Sequence, residues 1–154
     1  MDKPDTPAEL KARALRHLVR REHSRAELAR KLAPHAESDE ALACVLDLLL
    51  SRKQQSDERY AEERARSLAR KYGVARIRHD LKSKGVAEGI VERVAATADE
   101  LERARQILAR KYRSGAATRE ERARRARFLQ GRGFSYDTIR NVLGLSGSTY
   151  FSDG

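Results

Sequence analysis

The chain has no tryptophan, one cysteine and three prolines, and only 5% of its residues are aromatic. The lone thiol, Cys44, rules out an internal disulfide. Aromatics and Pro are scarce while Ala, Arg, Leu and Glu recur, which favours helix over sheet and predicts an all-α protein. No stretch approaches the roughly 20 consecutive apolar residues that span a bilayer, so no membrane partner is expected. The opening "MDKPDTPAEL" carries acidic residues and no apolar core, which is unlike a signal peptide, and the expected location is cytoplasmic. Charge is abundant. Charged residues make up 36% of the chain, and Lys and Arg exceed Asp and Glu by ten, which points to an anionic partner. The plain alternative is a solvated helical surface. With 154 residues and 40% apolar content, the chain has room for one domain or a short row of small repeats.

Helix punctuation is dense. Thr6-Pro7-Ala8-Glu9 has the form of a capping box with Pro at the first helical position, predicting a helix to about His23. Ser24 with Glu27 repeats the box and opens a short helix that stops near Pro34. Ser38 opens a third helix through "DEALACVLDLLLSRKQQ", apolar nearly all round, which is expected at the centre of a first bundle with Cys44 as a small core residue. "SDERYAEERARSLARKYG", "ARIRHDLKSKG" and "AEGIVERVAA" read as the next three helices, the first two closing at Gly73 and Gly85. Helices over about 98–113, 118–132 and 135–143 follow, with Thr97/Glu100 and Thr118/Glu121 as capping boxes for the first two.

Three segments align without gaps: "HSRAELARKL" (23–32), "YGVARIRHDL" (72–81) and "FSYDTIRNVL" (134–143). Their apolar pairs Leu28/Leu32, Ile77/Leu81 and Ile139/Leu143 coincide. Each follows an Ala/Arg-rich helix carrying its own pair, Leu15/Leu18, Ala65/Leu68 and Ala126/Leu129, the middle one after a one-residue shift. A unit this small cannot bury its apolar face alone, and stacking against neighbours solves that problem. The pattern predicts elongated tandem three-helix repeats: residues 1–55, 56–97 and 98–144, about nine helices in three groups, then a tail at 145–154. Gly133 is the expected helix stop. Phe134, matching His23 and Tyr72, is a corner residue packing one helix on the next. Tyr136 matches Arg25 and Val74 and is divided between packing and a partner surface.

Three of these stretches carry a resemblance: "SDERYAEERARS" (56–67), "GVARIRHDLKSKGV" (73–86) and "RGFSYDTIRNVL" (132–143) resemble, in order and spacing, the RecX regulatory proteins, bacterial modulators of the RecA recombinase. One departure is Ser56 before Asp57, where that family often has two acidic residues; Ser still caps a helix. "GLSGSTYFSDG" matches no motif. The resemblance implies a non-enzymatic protein that lodges in the groove of the RecA filament on single-stranded DNA and restrains strand exchange, ATP hydrolysis and repressor cleavage, within recombination, repair and the SOS response.

Nothing in the sequence suggests catalysis, a cofactor or a metal. His17 and His23 are six apart, off one another's helix face, His35 and His79 stand elsewhere, and Cys44 has no ligand at metal spacing. No phosphate loop or nucleophile elbow occurs. The carboxylates mostly partner Arg on helix surfaces, as Glu102 lies beside Arg103 and Arg105. Charge is the informative feature: residues 64–84 hold eight Lys/Arg against one Asp, and 110–132 hold nine against two Glu, together +14 against a chain total of +10. Stacked repeats would align these stretches into a basic ridge suited to phosphates or to an acidic protein groove; otherwise they are a scattered solvated face. The candidate contact residues are Arg64, Arg66, Arg70, Lys71, Arg76, Arg78, Lys82, Arg119, Arg122, Arg124, Arg125, Arg127 and Arg132, with Tyr136.

A rival reading takes "TIRNVLGLSGSTYF" as the start of a DNA-binding helix-turn-helix, but too few residues follow Ser148 to present a recognition helix to a major groove. Weak nonspecific DNA binding at low salt is expected from the charge alone. The repeat pattern also predicts a monomer whose radius of gyration, measured by small-angle scattering, lies several ångströms above the roughly 15 Å of a compact globule of this length. A value at the compact figure would contradict stacked repeats.

Overall fold

The computed structural model describes residues 3–96, 99–115 and 118–144. Every regular element among them is helical: α1 (Pro7–Arg20), α2 (Arg25–Leu32), α3 (Asp39–Ser51), α4 (Asp57–Ala69), α5 (Val74–Ser83), α6 (Glu88–Ala96), α7 (Glu100–Lys111), α8 (Arg119–Gly131) and α9 (Tyr136–Leu143), with one 3-10 turn at Ala33–His35. The chain divides into two compact units. The first takes Met1–Arg64 and Leu81–Val91, the second Ala65–Asp80 and Glu92–Gly154.

In the first unit, Leu10 and Ala14 of α1, Leu28 and Leu32 of α2, and Leu42, Val45, Leu46 and Leu49 of α3 close one core, with Leu15 and Leu18 packed half-buried against it. Caps set the helix starts. The Glu9 N–H donates to Thr6 Oγ1, the Ala41 N–H to Ser38 Oγ, and Ser24 with Glu27 forms a complete capping box. Buried Glu27 also accepts from Arg21 at 2.9 Å. Burial works to raise its carboxyl, but the hydrogen bonds from Arg21 and from the Ser24 N–H outweigh it and hold the pKa at about 2.

Two helices end earlier than the sequence pattern suggests, each because a residue is taken for another contact. α1 stops at Arg20, since Arg21 turns extended and reaches Glu27 while His23 folds into the corner. α3 stops at Ser51. Lys53 adopts a positive φ of 60°, and Gln55 is withdrawn from the helix to donate through Nε2 to the His23 carbonyl (3.2 Å) and Asp57 Oδ1 (2.9 Å). Cys44 is exposed rather than in the core. The buried stripe of α3 falls on Leu42, Val45, Leu46 and Leu49, which turns Cys44 and Leu50 outward.

In the second unit, Ala104, Ile107, Leu108, Ala126, Leu129, Phe134 and Ile139 are buried together, and Tyr112, Phe128, Val142 and Leu143 pack half-buried around them. Phe134 is thus the core corner residue its alignment indicates. Of the aligned pairs on the preceding helices, only Ala126/Leu129 is fully buried; Ala65 and Leu68 are half-buried. Two corners meet backbone to backbone: the Gly73 N–H donates to the Arg132 carbonyl (2.8 Å) and the Ala75 N–H to the Gly133 carbonyl (3.2 Å). A side chain on Gly73 would collide with the Gly133 carbonyl, and Gly133, at φ +88°, lies 2.7 Å from Arg76 Cβ when given a Cβ of its own.

The same joint occurs once in each unit. The carboxylate of the first residue of α4, Asp57, accepts the N–H of the first residue of α2, Arg25, at 2.8 Å. The carboxylate of the first residue of α7, Glu100, accepts the N–H of the first residue of α5, Val74, at 3.0 Å. An acceptor on the free N–H groups of a helix start satisfies them and complements the helix dipole. The corner carbonyls correspond as well: Gln55 donates to that of His23, and Arg103 Nη1 to that of Tyr72 at 2.6 Å.

Leu28, Ile77 and Ile139, the matched positions of the three short helices, are 0%, 2% and 1% exposed. Substituting any one with Ala is expected to cost roughly 2–5 kcal/mol in chemical denaturation. Unchanged midpoints for all three would contradict their role as the shared core position.

Candidate partner-binding surface

The second unit carries a row of alternating cations and rings. Tyr72, at the corner after α4, has the Arg76 guanidinium 4.9 Å from its ring centre and that of Arg132 at 5.4 Å. Arg132 also lies over Phe128 at 5.1 Å, where Lys111 approaches to 4.4 Å. Lys111 stands 5.9 Å from the ring of Tyr112, which meets Phe128 edge-on and carries Arg125 at 4.3 Å. The order is therefore Arg76, Tyr72, Arg132, Phe128, Lys111, Tyr112, Arg125. Each contact is the attraction of a cation for a ring face. The row joins Tyr72 and Arg76 of the first basic stretch to Lys111–Arg132 of the second, all within this unit.

Polar contacts beneath the row fix it. Glu100, partly buried, accepts from the Val74 N–H, the Ser135 N–H and Oγ, and Thr138 Oγ1 at 2.7 Å. Burial alone would raise its carboxyl; these donors outweigh that and lower it. Arg103 points inward, donating to the Tyr72 and Ala69 carbonyls at the end of α4, with Phe134 5.9 Å from its guanidinium. Burial pushes its pKa down against the pull of Glu100 and Asp99. Arg110 donates to the Arg70 carbonyl and Arg125 to that of Ser114, each at 2.8 Å. The start of α7 differs from the capping box read in the sequence: Asp99 accepts from the Glu102 N–H, the Glu100 carboxylate goes to α5 and α9, and Thr97 lies outside the described residues. Thr118 and Glu121 form their box in full.

The sequence candidates fall into distinct settings. Arg76, Arg125 and Arg132 belong to the row. Arg66, Arg70, Lys71, Arg124 and Arg127 are exposed in the same unit, and Arg122 is half-buried on α8. Arg119 is the first residue of α8. Arg78 faces Glu92 in an ion pair at 3.1 Å. Arg64 and Lys82 belong to the first unit. Tyr136 is 36% exposed, with Arg140 5.4 Å over its ring. Sequence reasoning missed Tyr72, Lys111, Tyr112 and Phe128 as members of the surface. Part of the signal was there: Arg125, Phe128 and Arg132 follow at intervals of three and four, which sets them on one side of α8, and Tyr72 stands four residues before Arg76.

Elsewhere, His17 and His23 are in contact after all, with ring centres 5.6 Å apart, because the chain turns at Arg21 and lays His23 back over α1. His23 uses Nδ1 on the Arg21 carbonyl and Nε2 on Lys31 Nζ, and burial lowers its pKa. Among the described residues no group of three or more His, Cys, Asp or Glu could hold a metal ion, and no helix is long and apolar enough to cross a membrane. Arg105 pairs with Glu102 at 3.8 Å, whereas Arg103 is spent on backbone carbonyls.

Comparison with known proteins agrees with this architecture. The sequence pattern of the second three-helix domain of RecX matches residues 56–94, and that of its third three-helix domain matches residues 98–143. The chain is 48% identical to the regulatory protein RecX of Leptothrix cholodnii over 89% of its length and 88% of that protein's, and 45% identical to that of Herbaspirillum seropedicae, covering 91% and 92%. Its fold is similar to the crystal structure of RecX from Lactobacillus salivarius, with a TM-score of 0.78 at 23% identity, over 90% of this chain and 94% of that one. Identity of this extent along nearly the whole chain, together with the two domain matches, means that the chain belongs to the RecX family of regulatory proteins.

Proposed function

We propose that the chain binds the RecA filament assembled on single-stranded DNA and restrains its strand exchange, ATP hydrolysis and coprotease activity, through the basic face of the second unit. It acts as a non-enzymatic cytoplasmic monomer, with residues 1–55, 56–97 and 98–144 as three successive helical repeats. Family membership supports the choice of partner. The observation that carries the choice of surface is the row of cations and rings from Arg76 to Arg125, in a unit that also exposes Arg66, Arg70, Lys71, Arg124 and Arg127. Such a face attracts an anionic groove during encounter and holds its register once docked. A second reading, a basic helical protein that binds DNA without RecA, is favoured only by the net charge of +10.

Co-sedimentation with RecA, with and without single-stranded DNA and nucleotide, separates the two. Capture by the filament is expected; retention on bare DNA but never with RecA would support the second reading instead. Replacing exposed Arg124 and Arg127 by Glu is expected to weaken filament binding about tenfold or more, equivalent to about 1.4 kcal/mol per factor of ten, while helicity and melting stay as in the parent. Added salt should bring the parent down towards the variant, since screening shortens to about 10 Å at 0.1 M. Equal restraint of RecA by parent and variant at low salt would remove this face from the interface.

A further inference from the structure

We infer that the held guanidinium groups of Arg76, Arg125 and Arg132 receive carboxylate side chains of an acidic segment of the protein partner, rather than phosphates or bases of the nucleic acid. This rests on the filament reading above and refines it. A surface that binds single strands combines mobile cations along the backbone with open ring faces on which bases stack. Here the rings are closed to that use. Tyr72, Tyr112 and Phe128 are half-buried, and each already carries two cations within 6 Å: Arg76 and Arg132, Arg125 and Lys111, and Lys111 and Arg132 respectively.

Two of the three cations are constrained further, while Arg76 is exposed and held by its stacking on Tyr72 alone. Arg125 is tied to the Ser114 carbonyl and stacked on Tyr112, and Arg132 bridges Tyr72 and Phe128. Arg125 and Arg132 are half-buried, so part of their hydration is already lost. A guanidinium stacked on a ring keeps its edge N–H groups pointing outward in a fixed fork, and a fork held in advance suits paired hydrogen bonds to a carboxylate at a fixed place. Phosphate attraction that is indifferent to sequence needs only charge, and the exposed Arg66, Arg70, Lys71, Arg124 and Arg127 supply it. The second unit thus holds both stacked forks that read geometry and exposed cations that supply field.

Arg→Lys substitution separates the two roles, because it keeps the charge and removes the fork. The full chain carrying Arg76→Lys, Arg125→Lys and Arg132→Lys together is compared with the parent by fluorescence anisotropy at 0.1 M salt. The probes are a labelled dodecapeptide of Asp and Glu and a labelled oligothymidylate of about the same charge. The triple variant is expected to lose about tenfold in affinity for the peptide and twofold or less for the oligonucleotide. Should the triple variant lose helicity, Arg125→Lys alone gives the same comparison with a loss of about threefold for the peptide. Equal losses for both probes, an unchanged peptide affinity, or a parent that binds the oligonucleotide but not the peptide would each overturn the inference. If the parent still co-sediments with RecA filaments in that case, only this refinement fails; if it does not, the filament reading fails with it.

Discussion

A single carboxylate, that of Glu100, holds the second unit in register. It accepts from the first N–H of α5 and from Ser135 and Thr138 at the start of α9, joining segments that lie 26, 35 and 38 residues away in the chain. Each of those helices is short, ten and eight residues, and short helices depend on tertiary support rather than on their own propensity. With α5 anchored there, the Tyr72 corner meets the Arg132–Gly133 corner closely enough for their backbones to hydrogen-bond. That meeting puts Arg132 over the Tyr72 ring, and from it the row of cations continues.

The first unit solves the same problem with other side chains. Asp57 takes the place of Glu100 at the start of the following helix, and Gln55 takes the part of Arg103 in binding the corner carbonyl. What recurs is a geometric need: the start of a short helix has free N–H groups, and the corner before it has a free carbonyl. A neutral amide meets the carbonyl in one unit and a guanidinium in the other. The choice of Arg103 brings a positive charge beneath Tyr72 and Phe134, within the unit whose surface is the more basic.

Local signals in the sequence were sufficient for the helix starts other than that of α7, where Asp99 caps and Glu100 is drawn to other helices. Ser24 and Thr118 cap as their spacing to Glu27 and Glu121 indicates, and Phe134 and Ile139 are buried as the internal alignment requires. The ends of α1 and α3 were not legible, because Arg21 and Gln55 leave their helices for partners in tertiary contact. Nor was the outward face of Cys44, since a helix as apolar as α3 gives no contrast by which to choose its buried side. Of the surface, the spacings within α8 and around Tyr72 were present in the sequence, but the approach of Lys111 to Phe128 depends on how α7 and α8 pack, which no spacing along the chain contains.

Side-chain footprinting tests most directly whether the cation and ring row is the face that meets the filament. Hydroxyl radicals label accessible aromatic rings, and mass spectrometry of the chain free and bound to RecA on single-stranded DNA reports which rings become covered. Protection of Tyr72, Tyr112 and Phe128 on binding is the predicted result. Labelling of these three rings unchanged by the filament, with protection confined to Tyr136 or to the first unit, would contradict the account.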